Sequence, residues 1–148
     1  MAKINILILS CGTRNKIIQY FRNELRGKGS IFAADASRLA PALYEADKFF
    51  ITPSIDDINY LNEILKICIE NQVSAILSLI DPELSILAKN RQKFLDIGTL
   101  PIVSSFDVVE MCLDKKMTSY KLKSLGLNSI PTFSNLSDTI DAINNNIL

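Results

Sequence analysis

Residues 4–13 read INILILSCGT, and this stretch decides the fold. Its first six residues are apolar except for Asn5, a pattern that predicts a β-strand buried on both faces. A short polar turn follows and leads into a segment with helical spacing of apolar residues. The apolar side chains of that segment are Ile17, Ile18, Phe21 and Leu25. A buried strand that leads directly into an amphipathic helix is the beginning of a βαβ unit.

The same alternation continues through the first 104 residues. Further strands are predicted at residues 31–35, 49–51, 75–80 and 100–103. Gly27 and Gly29 are expected to end the first helix. Parallel strands joined by helices require right-handed crossovers. We therefore predict an α/β fold, a Rossmann-like doubly wound parallel sheet, over residues 1–104.

Two further helices are predicted between these strands. One begins at Asp56 and Asp57, and the other begins after Asp81 as its N-cap, with proline at the first helical position. Their buried faces are expected to comprise Ile58, Leu61, Leu65, Cys68 and Ile69 in one, and Leu84, Leu87, Ala88 and Leu95 in the other.

Residues 105–148 show a different pattern. Helices are predicted at residues 106–113 and 115–125 without a strand between them, and a third helix over 137–146. We predict that this second segment is a C-terminal helical extension.

Composition excludes several classes of function. The 16 basic and 16 acidic residues cancel, so neither nucleic acid nor an anionic membrane surface is an expected partner. No histidine is present, which excludes Ser-His-Asp and Cys-His catalysis and histidine-bound zinc. Three widely spaced cysteines are expected to be buried or half-buried thiols, and the first strand begins too early for a signal peptide. A cytoplasmic location is therefore predicted.

In an open parallel sheet, ligands bind beyond the carboxyl ends of the strands. The loop after the first strand contains Gly12, Thr13 and Arg14, which are candidates for substrate binding because helix amides and a guanidinium attract anions. It lacks the Gly-x-Gly-x-x-Gly pattern of a dinucleotide site. Asp35 either holds a ribose hydroxyl or caps the turn that follows it.

Two acidic residues after the fourth strand complete the candidate substrate site. Asp81 is interpreted as a helix cap or a substrate contact, and Glu83 as a first-turn carboxylate or a substrate contact. Cys11 has no base beside it, so it is interpreted as a packing residue rather than a nucleophile.

The chain resembles the N-terminal part of ATP-grasp ligases, and most of all the members similar to the carbamoyl-phosphate synthase large subunit. The resemblance covers residues 3–134. Four stretches carry it: residues 6–14 (ILILSCGTR), 33–37 (AADAS), 44–47 (YEAD) and 77–84 (LSLIDPEL).

The resemblance implies a Rossmann-like pre-ATP-grasp domain that ends near Ser105, followed by the start of an ATP-grasp domain. It implies ATP and magnesium as cofactors, a small carboxylate and an amine as substrates, and an acyl-phosphate intermediate. It also implies that Lys115, eleven residues before Gly126, contacts ATP phosphate. The alternative for Lys115 is a solvated helix start after an Asp114 cap.

The other ATP and magnesium contacts of the family do not match residues of this chain. We therefore predict no catalytic residue, no metal ligand and no tightly bound cofactor here. The chain is expected to be a truncated or separately encoded piece, inactive without the remainder of the ATP-grasp domain. Exposed apolar residues after Asp114 are expected to favour a homo-oligomer: Met117, Tyr120, Leu122 and Leu125. The alternative function is a non-enzymatic Rossmann-like module that binds a nucleotide or another protein.

Overall fold

The structure, a computed structural model, describes residues 3–145. The chain divides into two compact units, and the division falls between Ser104 and Ser105. Each unit is described separately below.

The first unit contains a five-stranded parallel sheet with the order β3-β2-β1-β4-β5. Its strands are β1 (Asn5–Leu9), β2 (Ile31–Asp35), β3 (Lys48–Ile51), β4 (Val73–Ser78) and β5 (Leu100–Pro101). The chain leaves β1 towards β2 and β3 on one side, then returns to β4 on the other side. The topological switch point therefore lies between β1 and β4, where ligands bind in open α/β sheets.

Helices cover both faces of this sheet, which confirms the predicted doubly wound α/β fold. They are α1 (Asn15–Leu25), a 3₁₀ helix (Pro41–Glu45), α2 (Tyr60–Glu70), α3 (Asp81–Lys89) and α4 (Arg91–Asp96). Alternate residues of β1 serve the two faces, because successive side chains of a strand point in opposite directions. Leu7 packs in a core with Ile64 of α2, and Ile8 packs in a second core with Ile18 of α1.

The predicted start of α2 was wrong. The helix begins at Tyr60, and Asp57 instead accepts a hydrogen bond from the amide of Asn59 at 2.7 Å. An aspartate that bonds the amide two residues ahead forms a local turn, which competes with helix. Ile58 therefore lies outside the helix and is 92% exposed, and Ile69 is exposed as well.

The single helix that was predicted to begin after Asp81 and to include Leu95 is two helices in the structure. Asp81 is the first residue of α3, so it is not the N-cap, a position that Ile80 occupies without a side-chain bond. α3 ends at Lys89, and the side-chain amide of its C-cap, Asn90, donates to the carbonyl of Ile86 at 2.9 Å before α4 begins. Leu95 was expected to be buried but is exposed.

Gly27 and Gly29 have different roles. Gly27 follows the end of α1 with φ of 76°, in the left-handed region, as predicted for a helix stop. Gly29 instead allows a close backbone approach, because a β-carbon there would lie 1.8 Å from the carbonyl oxygen of Ile4.

The second unit contains α5 (Phe106–Leu113), α6 (Lys115–Ser124) and α7 (Leu136–Asn144), and no strand is present in its described residues, 105–145. Asp114 caps α6, as the alternative interpretation of Lys115 held: its carboxylate accepts from the amides of Lys116 at 2.8 Å and Met117 at 3.0 Å. The last residue of the predicted 137–146 helix lies outside the described residues.

Within residues 3–145, no helix is long and apolar enough to cross a membrane.

Candidate functional site

The turn of residues 10–14, here called the β1 loop, connects β1 to α1 at the switch point. Ser10 and Gly12 both have positive φ, 44° and 51°. Left-handed backbone is ordinary for glycine but uncommon for serine. The amide of Arg14 donates to the carbonyl of Cys11 at 3.0 Å and closes the turn. The sequence predicted the loop but not the strained conformation of Ser10.

Asp35 holds this loop from the end of β2. One carboxylate oxygen, Oδ2, accepts from the amide of Gly12 at 2.9 Å. The other oxygen, Oδ1, accepts from the amide of Ser37 at 2.9 Å. Asp35 therefore caps the turn that follows it, as one interpretation of the sequence held, and also fixes the β1 loop.

The outer face of the β1 loop suits an anion. Thr13 and Arg14 are both exposed. Arg14 occupies the N-cap position of α1 without a side-chain cap, and the first turn of α1 contains no acidic residue. Its guanidinium donates to the carbonyl of Ser10 at 3.3 Å. An uncapped helix start next to a guanidinium provides hydrogen-bond donors and positive charge that favour carboxylate and phosphate groups.

Glu83 lies on the inner side of the same loop. It is only 1% exposed, and its Oε1 accepts from the hydroxyl of Ser10 at 3.0 Å. The hydroxyls of Tyr60 and Ser78 also donate to its carboxylate. These four residues, here called the Glu83 network, join the carboxyl ends of β1 and β4 to the starts of α2 and α3. The pKa of Tyr60 is raised, mainly by burial and then by the charge of Glu83.

The structure does not bring Asp81 into this network. It lies at the exposed start of α3, two residues before Glu83. Cys11, by contrast, is buried within the β1 loop, and burial followed by the nearby Asp35 charge raises its pKa to about 11. A thiol with a raised pKa is a poor nucleophile near neutral pH, which agrees with a packing role.

In the second unit, Lys115 lies at an open groove of about 350 Å³. The other lining residues are Thr118, Ser119, Leu122, Ser129, Ile130 and Thr132. Within the described residues, the Lys115 ammonium donates to the carbonyl of Cys112 at 3.1 Å, and the side chain is exposed. It is therefore accessible to an anionic group in the groove.

Lys116 is oriented differently. Its ammonium donates to the hydroxyl of Ser134 at 2.7 Å and lies 5.7 Å from the ring centre of Tyr120. Of the two adjacent lysines, Lys115 lines this groove and Lys116 does not. Cys112 is exposed, which corrects the expectation that all three thiols are at least half-buried.

The chain does not supply a metal centre in its described part. Between residues 3 and 145, no group of three or more cysteine, aspartate or glutamate side chains is arranged to hold a metal ion.

The five-stranded parallel sheet, with its switch point between β1 and β4, defines a Rossmann-like domain. The chain belongs to the family described as PylC-like, N-terminal domain, which its sequence matches over residues 6–102. No curated protein sequence matches the chain.

Solved structures share this fold. N5-carboxyaminoimidazole synthetase from Staphylococcus aureus, complexed with ADP, is 18% identical with a TM-score of 0.65, over 98% of this chain and 37% of that one. L-amino acid ligase from Bacillus licheniformis is 20% identical with a TM-score of 0.63, over 93% of this chain and 34% of that one. The biotin carboxylase domain of a single-chain bacterial carboxylase is 18% identical with a TM-score of 0.61, over 97% and 34% respectively.

The chain thus spans just over a third of the length of these structures. At such identities the likeness shows the fold. Together with the family match, it confirms the resemblance to the N-terminal part of ATP-grasp ligases.

Proposed function

We propose that the chain is the N-terminal part of an ATP-dependent carboxylate–amine ligase, similar to the carbamoyl-phosphate synthase large subunit. The observation that carries the proposal is the family match over residues 6–102, on a fold shared with a synthetase, a ligase and a carboxylase. The motifs in residues 6–14 and 77–84 support the narrower similarity to carbamoyl-phosphate synthase.

In the proposed reaction, a carboxylate oxygen of the substrate attacks the γ-phosphorus of ATP. This step forms a mixed anhydride and releases ADP. The amine then attacks the carbonyl carbon, and inorganic phosphate leaves with the former carboxylate oxygen. The protein contributes chiefly by holding the reacting groups in place and by neutralising phosphate charge.

The β1 loop is proposed to bind the substrate. Arg14 and the uncapped start of α1 would hold a carboxylate, while Gly12, Thr13 and Asp35 shape the surface around it. Glu83 is proposed to support the loop from its inner side, and Asp81 to border the substrate site from the exposed start of α3. A small acid or amino acid is the class of ligand that this surface supports.

Lys115 is proposed to contact ATP phosphate. Its exposed ammonium at an open groove supports this role, and a compact cation can follow phosphate oxygens as charge shifts among them. Magnesium and the remaining ATP contacts would come from the rest of the ATP-grasp domain, the expected partner of this chain. We infer that the 148 residues alone are inactive and bind ATP weakly.

The proposal is tested with the native gene product, purified through a tag introduced at its chromosomal locus. ADP formation is measured with magnesium, ATP and a panel of amino acids and small carboxylates, each with and without an amine. We expect ADP release that requires one carboxylate. Absence of any carboxylate-dependent ADP release would contradict the proposal, and nucleotide binding without turnover would favour the non-enzymatic module instead.

Adjacent lysines provide a matched pair for the ATP contact. Lys115→Ala should lower the carboxylate-dependent rate about ten- to one hundredfold, the effect of losing one charge-assisted bond. Lys116→Ala should change it less than about threefold, because that ammonium is bonded to Ser134. Equal effects of the two changes would contradict the assignment. Micromolar ATP affinity of the 148-residue chain in a calorimetric titration would contradict its proposed dependence on further residues.

A further inference from the structure

We propose that Glu83 is a positioning residue, which fixes the shape of the β1 loop through the hydroxyl of Ser10. The assignment rests first on burial and contact. Glu83 is 1% exposed and lies in α3, yet its Oε1 reaches the hydroxyl of Ser10 at 3.0 Å across 73 positions of the chain. No solvent competes for this carboxylate, so its partners are the hydroxyls that surround it.

A buried carboxylate is stable only while its oxygens accept hydrogen bonds. Ser10 and Tyr60 donate to Oε1, and Ser78 donates to Oε2. Movement of Ser10 away from this position would remove one of the three donors from a charge that water does not reach. The network therefore opposes displacement of the loop.

The backbone of Ser10 shows what the network holds in place. Its φ of 44° is unfavourable for a residue with a β-carbon, and such conformations persist where surrounding contacts fix them. The contact to Glu83 holds Ser10 in place. The hydrogen bond from the amide of Gly12 to Asp35 holds Gly12, two residues further along the loop. Two carboxylates, one in α3 and one at the end of β2, thus hold the loop in one conformation.

The consequence concerns the exposed side of the loop. Once Ser10 and Gly12 are fixed, Arg14 and the first turn of α1 are presented in one arrangement. The use of that arrangement for a substrate carboxylate rests on the proposed function. The positioning role itself does not, because it can be measured on the loop without a ligand.

Hydrogen–deuterium exchange of the 148-residue chain, followed by NMR, tests the proposal. The amides of Gly12 and Arg14 report on the loop, since both are hydrogen-bonded there, and the amides of Leu7 and Ile8 report on the core. Glu83→Met keeps the approximate volume and removes every acceptor. We expect Gly12 and Arg14 to exchange about ten- to one hundredfold faster relative to the core amides.

Glu83→Gln should largely rescue the loop. Its remaining oxygen can accept from Ser10 and Tyr60. Its new amide can donate to Ser78, whose own hydroxyl lies 3.2 Å from the carbonyl of Ile80 as an alternative acceptor. We expect less than about a threefold change in relative exchange for this variant.

Thr99→Val is the matched control. The buried hydroxyl of Thr99 donates to the carbonyl of Val73 at 2.8 Å, at the opposite end of β4 from Ser78. We expect it to destabilise the core without faster relative exchange in the loop. If Glu83→Met does not fold, Ser10→Ala removes the same loop contact and leaves the other two donors, and faster relative exchange is expected again.

Two results would overturn the proposal. In one, the amides of Gly12 and Arg14 in Glu83→Met exchange no faster relative to the core amides than they do in the unchanged protein. If Glu83→Met does not fold, the same result in Ser10→Ala would overturn the proposal. In the other, Glu83→Gln loosens the loop as much as Glu83→Met. A loosened loop together with an absence of ligase activity in the native protein would support positioning and contradict only the proposed function.

Discussion

The amide of Gly12 donates to Oδ2 of Asp35 at 2.9 Å, so a side chain at the end of β2 fixes the loop that follows β1. The second carboxylate oxygen accepts from Ser37. One residue thus links two neighbouring turns at the carboxyl edge of the sheet. Asp35 can therefore stabilise the β1 loop without contacting a ligand.

Asp35→Ala should lower the free energy of unfolding by about 1–3 kcal/mol, because two amides lose a charged acceptor. Asp57→Ala, which removes the acceptor of a single local turn, should cost less than about 1 kcal/mol. Urea unfolding followed by circular dichroism measures both. Equal losses would show that the bond to Gly12 contributes nothing measurable.

Gly29 should tolerate no β-carbon. An added β-carbon would lie 1.8 Å from the carbonyl oxygen of Ile4, so Gly29→Ala must displace the backbone beside β1. We expect a loss above about 4 kcal/mol or failure to fold. Gly27→Ala is the control: its site is open, and only the left-handed backbone is strained, which costs about 1–2 kcal/mol. Thermal unfolding distinguishes the two, and similar stabilities would refute the close approach.

The three thiols should react at different rates. Burial raises the pKa of Cys11 to about 11 and that of Cys68 to about 12, so both remain protonated at pH 8, whereas Cys112 is exposed. We expect iodoacetamide at pH 8 to label Cys112 in the folded protein and all three thiols in urea. Mass spectrometry of peptides identifies the sites. Rapid labelling of Cys11 in the native state would contradict its buried position, and Cys112→Ser provides the unlabelled control.

Apolar side chains of the second unit should favour self-association. Met117, Tyr120 and Leu125 are 53%, 58% and 60% exposed. We expect sedimentation velocity to show concentration-dependent oligomers that Tyr120→Glu weakens, because a charge opposes burial of this surface. Ile58→Glu, a matched change at one of the exposed apolar residues of the first unit, should have little effect on association. A strictly monomeric protein at every concentration would contradict this expectation.

Local sequence patterns predicted much of the first unit. The strand at residues 4–9 and the helix after it were placed within a residue or two, because burial and helical spacing are both visible in a short window. The start of α2 was missed for the opposite reason. Asp56 and Asp57 carry the composition of a helix start, but Asp57 forms a turn of its own.

The Glu83 network could not be predicted from a short window of the sequence. Glu83 meets Ser78 across five positions, Tyr60 across 23 and Ser10 across 73. Only the strand order brings these groups together, since β1 and β4 are neighbours in the sheet but distant in the chain. The sequence therefore predicted which loops lie at the carboxyl edge of the sheet, and the structure was needed to distinguish the outer face of the β1 loop from its inner support.

Oxygen-18 transfer tests most directly whether this chain is the N-terminal part of a ligase that acts through an acyl phosphate. The native gene product is incubated with ATP, magnesium, an amine and the carboxylate that promotes ADP release, with both carboxylate oxygens labelled. We expect the released inorganic phosphate to carry oxygen-18 from the carboxylate. Product formation with entirely unlabelled phosphate would contradict it.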